Sequence, residues 1–176
     1  MQRYAHLFLI PPIFFLDRWT KFLVRRDLPA GGQIPIFSWL SIVHWQNKGG
    51  VFGLMSHSES GRYIFLLIPM VIIAGLACYL VAGRASAWTR FALAFVLSGA
   101  LGNMYDRIFD GSVLDFLLVS YKGYYWPAFN AADMSITFGI GLWLYAQLFM
   151  KETRIYKKGR PDRIETRVFN EDGANE

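Results

Sequence analysis

The chain has 176 residues, of which 54% are hydrophobic, 17% aromatic and only 18% charged. Soluble globular domains carry about 45–50% apolar and about 25% charged residues, so this composition excludes a disordered tail, a coiled coil and a charged nucleic-acid arm, and points to a chain whose solvent is partly lipid. The formal net charge of +5 is not a nucleic-acid signal either: seven basic residues, Lys151, Arg154, Lys157, Lys158, Arg160, Arg163 and Arg167, sit together behind the last apolar run, where the positive-inside rule expects a cytoplasmic tail.

The first apolar stretch, residues 4–24, is interrupted by Pro11 and Pro12 and carries Asp17, Arg18 and Lys21 in its last third. No small-x-small cleavage site follows Leu16, which favours a retained span over a removed leader. Residues 25–62 then read as an outer loop. Its LPAGGQIP segment is rich in turn residues, and the following IFSWLSIVHWQ has the Ile, Val, Phe and Trp content of short strands or of an interfacial segment. Residues 63–81 carry no charge over 19 positions, enough for a transmembrane helix in which Pro69 is tolerated as a kink. Cys78 lies in this run and is the sole cysteine; it excludes an internal disulfide and reads as a small buried hydrophobe.

A short inner loop, residues 82–87, leads to a third stretch at 88–104, with Arg90 at its entrance and Ser98, Gly99, Ala100 and Gly102 near its exit. Small residues let helix backbones approach closely, so this end is expected to pack against protein. Residues 106–131 form a second outer loop. Residues 132–150 form the last span, with Asp133 as its single charge, followed by a polar tail over 151–176. The expected fold is an all-α membrane protein with four transmembrane helices and a small extracytoplasmic region of β-like or amphipathic character. Placing both termini in the cytoplasm puts ten basic residues inside, Arg3, Arg84, Arg90 and the seven of the tail, against eight outside, as the positive-inside rule asks.

With that topology, helix parity gathers the unusual polar residues at one surface of the bilayer. Asp17 and Lys21, then Asn103, Asp106 and Arg107, fall at the outer ends of spans one and three, and Asn130 and Asp133 at the outer start of span four. Ionisable groups at membrane depth mark functional sites by default. Each also has a structural reading. Asp17 and Lys21 have the i,i+4 spacing of a helix ion pair, Asn130 and Asp133 have the spacing of an N-cap with an acid in the first turn, and Asn103 and Asp106 share a helix face. Asp115 is harder to read as structural, because it lies in the apolar run GSVLDFLLV, where a carboxylate is partly desolvated. Paired with Asp133 it would form a dyad sharing one proton, the arrangement that activates water against a peptide carbonyl.

Other chemistries fit less well. His6, His44 and His57 are scattered and no HExxH occurs, so no zinc site is legible. A serine nucleophile lacks its GxSxG elbow, and Cys78 has no histidine beside it.

Five blocks resemble the lipoprotein signal peptidase (signal peptidase II) family of bacterial membrane aspartyl proteases: DRWTK at 17–21, NKGGVFG at 47–53, GALGNMYDR at 99–107, VLDF at 113–116 and FNAAD at 129–133. The resemblance covers about residues 3–150. It implies a four-span peptidase domain over 1–150, with Asp115 and Asp133 as the catalytic dyad. It also implies that Asn47, Asn103, Arg107 and Asn130 line the site and that Asp17, Lys21 and Asp106 support its architecture. By the same resemblance, the substrate is a prolipoprotein cut just before its diacylglyceryl-modified lipobox cysteine, at the inner (cytoplasmic) membrane of a bacterium and near its outer leaflet. Globomycin-type inhibitors are expected to bind, and no metal, organic cofactor or nucleic acid is involved. The competing classes are a proton-linked carrier, in which Asp115 and Asp133 relay protons, and a structural membrane subunit. Crowding of the polar groups at one face argues against the carrier, and intact VLDF and FNAAD blocks argue against the inert subunit.

Overall fold

The computed structural model describes residues 2–48, 59–82 and 85–149. Gly49, Gly50 and Gly53 of the first loop, His57 and the tail at 151–176 lie outside these residues.

A 3-10 segment, Gln2–Leu9, leads into helix α1, Ile10–Asp27. Pro11 and Pro12 fall in the first turn of α1, where the backbone N–H groups have no intrahelical acceptor and the fixed φ of proline suits the helix. The double proline therefore marks a change of helix type within the first apolar stretch. Three further helices follow: α2, Glu59–Ala82; α3, Ala87–Phe109; and α4, Ala131–Phe149. By length and composition, Tyr63–Ala82 is the one helix among the described residues apolar enough to cross a membrane. α3 begins at Ser86, whose hydroxyl accepts the N–H of Thr89 at 3.2 Å, a side-chain cap for an otherwise unpaired donor.

α3 is the hub, packing against α1, α2 and most closely α4. Gly99 and Gly139 make that approach possible: a Cβ on Gly99 would collide with the backbone oxygen of Ala132, and one on Gly139 would sit 2.6 Å from the oxygen of Ala92. Hydroxyls bridge the same contacts, Ser98 Oγ to Ile10 O at 3.0 Å and Ser135 Oγ to Phe95 O at 2.8 Å. The small-residue end of α3 is thus packed against protein, as its composition predicts. Gly99→Ala is expected to force α3 and α4 apart beside Ala132 at a cost of about 1–3 kcal/mol. Thermal unfolding in detergent checks this, with a concurrent fall in activity because Asp133 is one residue away from the clash.

Cys78 corrects the sequence-based expectation: it is exposed, not buried. α2 leans on α3 and leaves nearly all of its apolar window uncovered, so an apolar run of this kind says which residues avoid water but not which are covered by protein.

The loop after α1 and the loop after α3 join in one sheet. Strands β1, Gln33–Phe37, and β2, Leu40–Asn47, come from the first loop, and β3, Val113–Tyr121, and β4, Tyr124–Tyr125, from the second. All pair antiparallel in the order β1-β2-β3-β4. Lys122 and Gly123 close the last hairpin with φ of 48° and 85°, the twist that two-residue hairpin turns need. The long-range pairing is β2 with β3, setting Trp45 opposite Asp115 and Asn47 opposite Val113. Beneath it Val24 and Leu28 from the end of α1 pack with Leu114 and Phe116. β3 is in turn tied to the entrance of α4, because Leu117 N donates to Phe129 O at 2.8 Å and Phe129 N to Leu117 O at 3.0 Å. This bridge delivers the start of α4 beside Asp115.

Candidate active site

The site is built outward from one buried ammonium. Lys21 Nζ donates to Asp17 Oδ2 at 2.8 Å and Asn103 Oδ1 at 3.2 Å and forms an ion pair with Asp106 Oδ2 at 2.7 Å. All four side chains are buried. Asp17 also accepts the backbone N–H of Ala132 through Oδ1 at 3.0 Å, so the carboxylate clamps the first turn of α4 to α1. Its other oxygen occupies the space that a side chain on Gly102 would fill, 2.7 Å from the position of a Cβ.

Because Lys21 can only donate, the Asn103 atom facing it must be the oxygen, and the amide nitrogen is directed elsewhere. It donates to Asp133 Oδ1 at 2.7 Å. Asn130 completes the arrangement: its Nδ2 donates to Asn103 Oδ1 at 3.2 Å and to Asp115 Oδ1 at 2.8 Å. Its Oδ1 accepts the N–H of Asp133 at 3.0 Å while its own N–H donates to Asp133 Oδ2 at 3.1 Å. That reciprocal pair is a capping box built from Asn and Asp. The structural and the functional readings of Asn130 and Asp133 therefore coexist, since the cap is what orients the carboxylate. Asn47 approaches from β2 and donates to Asp115 Oδ2 at 3.0 Å.

Asp115 is thus held by two amides, yet it is only 5% exposed. Burial pushes its carboxyl up to about 6, the charge of Asp133 adding to the rise while the amides of Asn47 and Asn130 and the more distant Lys21 oppose it. Asp133 is half-buried and joined to Asp115 through a single side chain, Asn130. The Arg107 guanidinium donates to Asn103 O at 3.4 Å and, with Asn47, Lys48, Phe65 and Leu66, lines a pocket of about 140 Å³ that meets this network through Asn47, the donor to Asp115.

Every residue singled out from the sequence is found here. Asp17, Lys21, Asn47, Asn103, Asp106, Asp115, Asn130 and Asp133 form one connected network, and Arg107 flanks it. Arg18 and Arg25 were not anticipated. Arg18 pairs with Asp106 and lies 4.4 Å from the ring centre of Tyr105, while Arg25 contacts Asp106 at 3.3 Å and Asp110 at 2.6 Å. Their signal was present in the spacing, since Arg18, Lys21 and Arg25 fall three and four residues apart on one face of α1.

The architecture is that of a membrane enzyme. A bacterial membrane enzyme solved by the in meso method at 2.3 Å superposes with a TM-score of 0.74 at 26% identity, covering 89% of this chain and 94% of the other. A second, at 1.9 Å, gives 0.72 at 27% identity, covering 83% and 94%. The chain belongs to the signal peptidase II family: the family model described as Signal peptidase (SPase) II matches residues 9–149. Relatives named lipoprotein signal peptidase include those of Halalkalibacterium halodurans, 35% identical over 86% of this chain and 93% of that protein, and of Azoarcus sp., 36% identical over 81% of each. As a member of this family the chain is a membrane peptidase, a hydrolase.

Proposed function

We propose that this protein is an aspartic endopeptidase that removes signal peptides from diacylglyceryl-modified prolipoproteins, cutting before the lipidated cysteine. The observation that carries the proposal is the pair Asp115 and Asp133, bridged by Asn130, with Asn47 linking Asp115 to the pocket it lines with Arg107. Asp115, the more deeply buried, holds the shared proton and donates a hydrogen bond to the scissile carbonyl. Asp133 takes a proton from the attacking water, and charge developing on the carbonyl oxygen is met by the Asp115 proton. The water oxygen bonds to the carbonyl carbon, and as the C–N bond breaks the proton held by Asp133 passes to the leaving amine, which returns the dyad to one proton. Asn47 and Arg107 line the approach and hold the substrate backbone. The four helices span the inner membrane with both termini cytoplasmic, which sets the dyad near the outer leaflet, where a substrate anchored by two acyl chains presents its cleavage site. The relatives named lipoprotein signal peptidase support the substrate class.

A dyad that works with one proton stops working when that proton leaves. In the free enzyme kcat/KM is therefore expected to fall as pH rises through about 6, the position to which burial pushes Asp115. Asn47→Ala removes an N–H that favours the charged carboxylate, so the alkaline limb should move to higher pH. A limb that stays put in Asn47→Ala would break the link between Asp115 and the profile.

The proposal is tested by reconstituting the purified protein with a diacylglyceryl-modified prolipoprotein, with and without globomycin, and by locating the C-terminus with a reporter fusion. Signal-peptide release that globomycin blocks, and a cytoplasmic C-terminus, are expected. Absence of release, or an extracytoplasmic C-terminus, would overturn it.

A further inference from the structure

A second polar chain lies on the face of the sheet opposite Asp115. His44, buried in β2, contacts Leu28 O through Nδ1 at 2.7 Å. A carbonyl only accepts, so Nδ1 carries the proton and Nε2 is left to accept from Gln46 Nε2 at 3.3 Å. That fixes the Gln46 amide, whose Oε1 accepts the hydroxyl of buried Ser112 at 2.5 Å. In a strand, side chains alternate between faces, so His44 and Gln46 point away from Trp45 and Asn47. On β3, Leu114 likewise points away from Val113 and Asp115, and Ser112, the residue just before the strand, reaches this face through its hydrogen bond to Gln46.

The chain ends at a sensitive place. Asn47 is the last residue of β2, and its partner Val113 is the first of β3. The ladder is already irregular between Ile42 and Trp45, so the short run from Trp45 to Asn47 must hold its register largely by itself. The Gln46–Ser112 contact crosses this last rung diagonally, and the Asn47–Asp115 contact crosses the neighbouring rung, Gln46 opposite Leu114, on the site face. We infer that Ser112, acting through Gln46, is a positioning residue for the reaction: it pins the end of the β2–β3 ladder from behind so that Asn47 stays within hydrogen-bond reach of Asp115. The inference rests on the reading of Asp115 as half of the dyad. The other charged groups acting on Asp115 are Asp133 from α4, Lys21 from α1 and Arg107 from α3, and none of them touches Ser112 or Gln46 in the contacts described.

The experiment is the pH profile of kcat/KM for the full-length enzyme on a diacylglyceryl-modified prolipoprotein. Ser112→Ala is expected to lower kcat/KM by about threefold to tenfold, the effect of one hydrogen bond. It should also move the alkaline limb upward by about half a pH unit, in the direction of Asn47→Ala. Gln46→Met should do the same, and Ser112→Thr, which keeps the hydroxyl, should restore the limb. In the Asn47→Ala background Ser112→Ala should shift nothing further. An unmoved limb in both Ser112→Ala and Gln46→Met, or a shift that persists in the Asn47→Ala background, overturns the positioning role while leaving the dyad intact. Full activity of Asp115→Asn overturns the dyad reading and this inference with it.

Discussion

Asp115→Asn and Asp133→Asn are each expected to lower kcat by about 10³-fold or more, since each removes a proton acceptor or donor from the reacting centre. The two variants should nevertheless differ in stability. Both oxygens of Asp115 accept from side-chain amides, Asn47 and Asn130, and an asparagine there offers one oxygen and one N–H₂. The same change removes the cost of burying a carboxylate charge, which offsets the one amide contact an asparagine cannot accept, so Asp115→Asn should unfold close to wild type. Asp133, only half-buried, has no such offset. One oxygen accepts from Asn103, whose amide is locked by Lys21, and the other from the backbone N–H of Asn130. Either orientation of an asparagine at 133 sets two donors against each other, which costs about 1–3 kcal/mol. Single-turnover cleavage and thermal unfolding of the same preparations check both statements. Substantial turnover in either variant would remove that residue from the chemistry.

Lys21→Met is expected to be the most destabilising single change, at about 3–5 kcal/mol. The ammonium is completely buried, ion-paired with two buried carboxylates and hydrogen-bonded to one amide. Without it, Asp17 loses its closest cation, and Asp106 keeps only Arg18 and Arg25, which approach its other oxygen. The damage also travels to the dyad, because Asn103, whose N–H donates to Asp133, is then held at its oxygen by Asn130 alone. Lys21→Arg should not rescue the variant: a planar guanidinium is larger and presents its donors in a fixed fork, whereas the site is built for three contacts to one nitrogen. Chemical denaturation in detergent, followed by activity at the lowest denaturant concentrations, separates the stability effect from the positional one.

The site was more legible in the sequence than the fold around it. Parity of the apolar runs is enough to bring Asp17, Lys21, Asn103, Asp106, Asn130 and Asp133 to one end of the helices, because helix ends are set by local sequence. The i,i+4 spacing of Asp17 and Lys21 and the i,i+3 spacing of Asn130 and Asp133 became real contacts. The sheet was legible only as a composition over residues 36–46 that suits short strands or an interfacial segment, and β1 begins earlier, at Gln33, inside the segment read as turn-rich. Its β2–β3 register depends on a pairing between segments about 70 residues apart, and no local periodicity records which partner a strand takes. For the same reason the second loop, in which Asp115 read as an acid out of place, is a strand whose apolar neighbours Leu114 and Phe116 pack against Val24 and Leu28. Cys78 was misplaced because apolarity measures avoidance of water, and lipid satisfies it as well as protein does.

The most direct measurement uses one prolipoprotein prepared with and without diacylglyceryl on its lipobox cysteine, exposed to wild-type enzyme and to Asp133→Asn, with the products identified by mass. The proposed function predicts a mature fragment that begins at the lipidated cysteine, formed by wild-type enzyme from the modified substrate alone. Cleavage at another bond, equal cleavage of the unmodified substrate, or an unimpaired Asp133→Asn enzyme would contradict it.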